Sequence, residues 1–505
     1  MDRQKSLLNI SVSVFFRILT IIASIFVKRL LIRTCGNEVN GLNALFLSII
    51  GFLSVAEIGV GGAITFCMYK PIVEKDNDKV SALYHLFNRI YTFVGIFILC
   101  AGLVVMPFLK HFAKDYAQLD VNMHLAFVLI LASSVLSYLF GAKTSLINAY
   151  KNNYKTTAIS SGGILLQYAL QIVVLFSTAS FAAYLVCKII AVLVQWLVTS
   201  IIARKDHSDI LKNRQRIDAE TKKHLLKHIK AMFMHKIGGI LVNTVDSIVI
   251  SAFVGVVALG NYSNYTAILT SMTSVIGLVF SSLISIFGHL YVEKSKDAAR
   301  KYCDFFHILN FMLGTIFFLG YYAIIDNLVA ILFSAELVSA KSISFVITMN
   351  GFVQYMRQSA LSFRDATGTF YYDRWKPLYE GILNIVLSIL LVKVVGVVGV
   401  ILATIITNLL ICHIMEPYVL YKHGFSASPR NYFLRNYILI AVFTAALLVL
   451  DHFMRDYSAQ WKELLVNGFI SACISLIICT TVLIRYRELF SNVIHEKRNG
   501  GTETI

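Results

Sequence analysis

Charge is scarce in this chain. Of 505 residues only 14% are charged, about half the share of an ordinary soluble domain, which excludes a water-exposed globule of this size. Proline is rarer still: there are five, and Pro71, Pro107, Pro377 and Pro417 lie at or near the ends of apolar runs. That placement suits helices entering and leaving a bilayer. The alternation of apolar and polar residues that marks a membrane β-barrel is missing. The eight cysteines (Cys35, Cys67, Cys100, Cys187, Cys303, Cys412, Cys473 and Cys479) are scattered without a C-x-x-C pair, so they read as inert thiols. The first apolar run is too long and too charged for a removable signal peptide and lacks a small-residue cleavage site. No stretch is long and polar enough to form a soluble domain, and the longest connection, 204–230, carries no D-x-D pair of carboxylates.

What the chain does have is apolar length: 57% of its residues are hydrophobic. The runs predict an all-α polytopic membrane protein of about fourteen spans, near 7–27, 42–68, 83–109, 122–142, 157–176, 181–203, 231–253, 262–290, 304–324, 342–356, 378–392, 397–419, 436–451 and 464–484. The net charge of +17 is distributed by side. Most Lys and Arg fall in the even-numbered connections and the two termini, which predicts that both termini are cytoplasmic. Charge so placed reports topology and gives no reason to expect a nucleic-acid partner.

A weak internal repeat underlies these spans. A shift that carries Gly36 onto Gly255 also carries Gly41 onto Gly260, "VEK" at 73–75 onto "VEK" at 292–294, and Asp78 onto Asp297. Glycines and charges in register mean more than matched isoleucines in such a composition. The shift covers an even number of spans, so the two copies share one orientation, as in transporters built from parallel repeats.

A few charges lie inside the spans, at Arg17, Arg89, Lys188 and Lys236. A guanidinium at bilayer depth costs roughly 2.5–3.5 kcal/mol on insertion scales, so Arg17, in "LLNISVSVFFRILTIIASIFVKRLL", needs an anionic partner. At 1.5 Å per residue it lies about 15 Å from either interface, beyond easy snorkelling. Glu57 in the second span is one candidate partner and an anionic substrate the other. Lys236 is the repeat mate of Arg17 and lies close enough to a span end to snorkel. Lys28 and Arg29, at the far end of the first span, serve either the outer mouth of a cavity or interfacial anchoring. Lys188 joins the cavity charge or pairs locally. In the 204–230 connection, "HLLKH" puts His224 and His228 four residues apart with Glu220 a turn earlier, but the surrounding lysines favour a solvated helix over a metal site.

Three stretches carry a family resemblance: "RTCGNEVNGLNALFLSIIGFLSVAEIGVGGAITFCMYKP" (33–71), "NTVDSIVISAFVGVVALGNYSNY" (243–265) and "RDATGTFYYDRWKPLYEGILNIVLSILLVKVVGVVGVILAT" (364–404). The chain resembles the polysaccharide transporters of the MOP superfamily, Wzx-type flippases related to the lipid II flippase MurJ and to MATE exporters. That resemblance implies two pseudo-twofold-related six-helix lobes, 1–203 and 231–423, joined by a basic linker at 204–230. Two further helices at 424–485 and a cytoplasmic tail at 486–505 follow. It implies alternating access that moves undecaprenyl-pyrophosphate-linked oligosaccharide across the bacterial cytoplasmic membrane, with no enzymatic step and no cofactor. Membrane lipids are implied partners, and pathway logic adds a polysaccharide polymerase. Arginine suits the pyrophosphate because its planar fork donates paired hydrogen bonds.

The same resemblance suggests ion coupling. In MurJ-type transporters an aspartate of the seventh span and polar residues of the eleventh and twelfth form a sodium site, and this chain offers Asp246, Asn384, Ser388, Val400 and Thr404 at corresponding places. Ser388 stands where a second acid would strengthen the site, so coupling to Na+, coupling to H+ and structural bridging between helices all stay open. Two other functions remain open as well. A MATE-like small-molecule exporter would share the architecture but favour acidic cavity residues. A membrane glycosyltransferase or polymerase would carry larger loops than are found here.

Overall fold

A computed structural model describes residues 2–54, 60–116, 121–213, 215, 244–454 and 461–491. They fold into helices joined by short turns, and no strand occurs among the described residues. Every expected span coincides with helix except 231–253, most of which lies outside the described residues; in 42–68 the described parts are helical. Among the described residues nine helices are long and apolar enough to cross a membrane, and Ile64–Val73 and Thr244–Val254 are shorter apolar helices. Phe93, Val104, Leu390, Leu465, Phe469 and Leu476 stay exposed on the helices, an arrangement that water would penalise and lipid tails would not. The protein is therefore a multi-pass membrane protein.

The chain divides into two compact units, Met1–Ser263 and Asn264–Ile505. The first holds α1 (Asp2–Cys35), α2 (Asn37–Leu53), α3 (Val60–Val73), α4 (Asn77–Val105), α5 (Met123–Ala149), α6 (Asn153–Thr178) and α7 (Phe181–Lys212). Short polar side chains start several of them. Asp76 accepts from the Lys79 amide at 2.9 Å, Asn122 from that of Leu125 at 3.0 Å, and Ser180 from that of Ala183 at 3.4 Å, satisfying amides the helix leaves open. Leu42, Leu45, Phe46, Phe127, Leu146 and Ile147 form the buried core.

Two glycines at repeat-related places punctuate this unit. Gly36 separates α1 from α2 with φ +93°, and Gly255, with φ +138°, follows a π-helical turn at Ile250–Val254 and precedes α8 (Val256–Glu293). Both angles lie in territory that a Cβ disfavours. The second repeat-related pair, Gly41 and Gly260, meets face to face: a Cβ on Gly41 would lie 1.9 Å from the Val256 carbonyl oxygen and 2.9 Å from the Gly260 nitrogen, and one on Gly260 would lie 2.5 Å from the Asn37 carbonyl oxygen. Neither obstacle can rotate away, because both are backbone. Gly41→Ala is expected to cost about 1–3 kcal/mol through overpacking. Gly162→Ala, on α6 where a Cβ would meet nothing within 4 Å, should be neutral or slightly stabilising. Apparent melting temperatures of the two variants in detergent check the contrast.

The second unit continues α8 and adds α9 (Lys296–Leu332), α10 (Lys341–Met356), α11 (Gln358–Thr367), α12 (Lys376–Val395), α13 (Val397–Thr407), α14 (His413–Val419), α15 (Arg430–Phe453) and α16 (Trp461–Arg485). Its centre is aromatic: Phe352 stacks on Phe443 with centroids 3.5 Å apart and Phe287 on Phe363 at 4.1 Å. The apolar segment from Val397 to Phe425 is not one regular helix. Wide π-helical turns at Asn408–Cys412 and Leu420–Phe425 interrupt it, and Pro417 stands within α14. Such turns release carbonyls from the helical ladder. Here Tyr437 donates to the Leu409 carbonyl at 2.8 Å.

Candidate functional site

Helix propensity places Arg17 at the centre of α1, in an apolar run with no helix breaker near it, and its side chain is exposed. Thr20 bonds back to the Arg17 carbonyl at 3.0 Å, and Ser24 to that of Ile21 at 2.8 Å. Seven residues separate Arg17 from Ser24, so two helical turns bring them onto one face. Tyr168 of α6 lies beside Ser24 and within electrostatic reach of Arg17. Beside it Gln167 donates to Gln171 at 3.4 Å, and Gln171 to the Tyr184 carbonyl of α7 at 3.2 Å. Polar groups of three apolar helices thus follow one seam, and Tyr168 is the member of it within electrostatic reach of Arg17. Sequence reasoning missed Tyr168, Gln167 and Gln171, since one polar residue in an apolar run announces nothing until its neighbours are known.

Glu57 and Lys236, the other central charges expected of this site, lie outside the described residues. Lys28 is engaged within its own unit. It donates to the Ser263 carbonyl at 2.7 Å and to the Ser263 hydroxyl at 3.0 Å, in a polar knot where Asn40 also donates to Ser263, at 3.1 Å, and Asn37 to Asn261 at 2.8 Å. That knot ties α1 and α2 to α8. Arg29 is exposed, and Lys188 is half-buried on α7. Asp246 belongs to the first unit and is 6% exposed.

In the second unit Asn384 and Ser388 share one face of α12, and Val400 and Thr404 one face of α13; all four are fully or almost fully buried. Asn384 donates to the Thr404 hydroxyl at 2.8 Å, and that hydroxyl to the Val400 carbonyl at 3.4 Å. Among the described residues the Asn384 Oδ1 and the Ser388 Oγ have no hydrogen-bond partner. Two orphaned oxygens in an apolar interior are a debt that a bound cation can meet.

Next to them is a cluster the sequence reading did not anticipate. Asn408 donates to the Thr404 carbonyl at 2.9 Å and accepts from Arg357 at 2.5 Å. Arg357 grips Glu416 with two hydrogen bonds, at 3.0 and 2.5 Å. Lys376 reaches Glu416 at 2.5 Å and Glu380 at 3.2 Å. Side-chain exposure is 14% for Arg357, 1% for Glu416, 5% for Lys376 and 7% for Glu380. Lys376, in "WKP", is the first residue of α12, and its ammonium is a buried member of a charge-balanced quartet. Glu416 carried a usable signal, because a carboxylate in "CHIMEPYV" is as costly there as Arg17 is in the first span.

No family model matches the chain, and no curated protein matches it by sequence. Its fold is found in solved structures. The lipid II flippase MurJ, in an inward closed conformation, superposes with a TM-score of 0.64 at 14% identity, over 96% of this chain and 100% of that one. An inward-facing multidrug resistance MATE family transporter of the MOP superfamily superposes with a TM-score of 0.58 at 13% identity, over 87% of this chain and 99% of that one. At such identities the likeness establishes the architecture, which is the one implied by the resemblance of the three sequence stretches.

Proposed function

We propose that this chain, which has the fold of MOP-type flippases and exporters, is a flippase. It moves undecaprenyl-pyrophosphate-linked oligosaccharide from the inner to the outer leaflet of the bacterial cytoplasmic membrane by alternating access, with both termini cytoplasmic. The observation that carries the reading is Arg17, exposed at mid-span with Ser24 on the same helical face and Tyr168 of α6 within electrostatic reach. A fixed cation at that depth suits a pyrophosphate, to which its planar fork donates paired bonds. The neighbouring polar groups suit sugar hydroxyls, which both donate and accept. The fold shared with a flippase of lipid II supports a lipid-linked cargo. Translocation makes and breaks no covalent bond, so the chain is not an enzyme, and a polysaccharide polymerase at the outer face is the partner that would consume its product.

The test is binding of undecaprenyl pyrophosphate beside the neutral undecaprenol by the purified protein, followed by translocation of a fluorescent lipid pyrophosphate in reconstituted vesicles. Preference for the pyrophosphate together with protein-dependent translocation is the expected result. Equal binding of the two lipids, with export of a cationic dye, would instead establish the MATE-like exporter that shares this fold.

Coupling to an ion is part of the proposal. Asn384, Ser388, Thr404 and the Val400 carbonyl would hold a sodium ion through oxygen donors, and Asp246 is the buried carboxylate whose charge would answer to Na+ or H+. Sodium should raise the apparent melting temperature above that in potassium, Asn384→Ala should abolish the difference, and Ser388→Asp should tighten sodium binding about tenfold by adding an anionic ligand. If wild-type melting is identical in the two salts, the ion at this place is a proton or none.

A further inference from the structure

The carboxylates at the start of α12 and within α14 are turned inward with the cations they pair, while the exposed Lys422, the half-buried Arg374 and a set of aromatic rings stand outside them. Asp373, Glu380 and Glu416 have side chains 0%, 7% and 1% exposed, and they are spent on Arg364, Lys376 and Arg357. On the outer side stand Tyr371 (60% exposed), Tyr372 (58%), Trp375 (49%), Tyr379 (55%) and Tyr418 (43%). Among the described residues the other exposed tyrosines and tryptophans are Tyr69, Trp196, Tyr437 and Trp461, so this one place holds the majority.

Three of these rings carry basic side chains. The Arg374 guanidinium lies 4.4 Å from the Tyr371 ring centroid, and the Tyr371 and Tyr372 centroids are 5.9 Å apart. The His423 imidazole stacks on Tyr372 at 3.9 Å. Its neighbour Lys422 lies 5.1 Å from the Tyr418 ring and donates to the Tyr418 hydroxyl at 2.8 Å. The rim stands where one membrane-crossing segment, Lys376–Val395, begins and another, Val397–Phe425, ends, which puts it level with the lipid headgroups. Rings with an apolar body and a polar edge favour that level. A cation held over a ring keeps outward-facing donors for a phosphate.

We infer that this rim is a binding site for anionic phospholipid headgroups, with Arg374 and Lys422 as the phosphate-contacting cations and Tyr371, Tyr372, Trp375, Tyr379 and Tyr418 as the interfacial platform. It belongs to the second unit and Arg17 to the first, and the inference stands or falls independently of the cargo.

The test uses the full chain with Arg374→Gln and Lys422→Gln combined, beside a control that also removes two exposed lysines, Lys205→Gln with Lys212→Gln. Each protein is purified from vesicles of phosphatidylcholine with phosphatidylglycerol, and retained lipid is counted by native mass spectrometry. Wild type and control should retain phosphatidylglycerol in preference to phosphatidylcholine. The rim variant should lose that preference roughly tenfold or more, with its melting temperature in lipid-free detergent unchanged. Three results would overturn the inference: retention unchanged in the rim variant, an equal loss in the control, or a stoichiometric co-purifying protein that only the rim variant releases.

Discussion

Replacing Glu416 with alanine should destabilise the protein by about 3–5 kcal/mol, the cost of leaving buried cations without their counter-charge. Glu416 is the shared acceptor of its cluster: Arg357 donates to it twice and Lys376 once, and its side chain is 1% exposed. Removing it leaves two largely buried cations to share one carboxylate. Glu380 remains for Lys376 at 3.2 Å and for Arg357 at 3.7 Å, so Glu380→Ala, which leaves Glu416 in place, should cost less. A compound variant, Arg357→Met with Lys376→Met and Glu416→Leu, removes cations and carboxylate together and should regain much of the loss, because a buried pair exchanged for apolar groups is often neutral. The check is the apparent melting temperature in detergent, where 3–5 kcal/mol corresponds to a fall of roughly 6–20 °C for a unit of this size. A Glu416→Ala variant melting with wild type would mean that water enters the cluster.

Arg17→Ala should weaken undecaprenyl pyrophosphate binding by about 1.5–3 kcal/mol, the range for losing a charge-assisted hydrogen bond, and abolish translocation in vesicles. Arg17→Lys should fall between, since an ammonium keeps the charge but cannot donate in parallel from a planar fork. Undecaprenol binding should be the same in all three proteins. Tyr168→Phe serves as the companion variant: it removes the hydroxyl beside Ser24 while leaving the arginine, so it should reduce the recognition of sugar-bearing cargo more than that of bare lipid pyrophosphate. If Arg17→Ala binds the pyrophosphate as wild type does, the guanidinium is a structural partner within its own unit, and the exporter reading gains.

How far the chain could be read before its structure was known depended on the range of the interaction. Spans were legible because each is a local property, a run of apolar residues long enough to cross a bilayer, and their helices lie where the runs lie. Gly36 and Gly255 were found by register, and their backbone angles give the reason that glycine stands at both. The Asn384, Ser388, Val400 and Thr404 set came from the family resemblance, and the structure brings Asn384 of one helix against Thr404 of the next. What the sequence could not supply were partnerships across it. Lys28 finds Ser263 and Arg357 finds Glu416 only when distant helices are packed, and neither spacing nor composition encodes those pairs. Intramembrane charge was the best guide available. Applied to Glu416 as strictly as to Arg17, it would have uncovered the buried quartet.

The meeting of Gly41 with Gly260 also has a historical consequence. If the repeat descends from a half-length chain that paired with its own copy, the two glycines were once a single residue facing itself across a symmetry axis, an isologous contact. Any change there struck both sides of the interface at once, so selection against it was doubled. Fusion of the copies ended that linkage. Each side became free to drift separately, and it has: Asn37 and Asn40 supply the polar knot from one copy alone, where the same shift places Val256 and Leu259 in the other. At this contact the two glycines are still alike, because backbone pressed against backbone leaves either side nothing smaller to become.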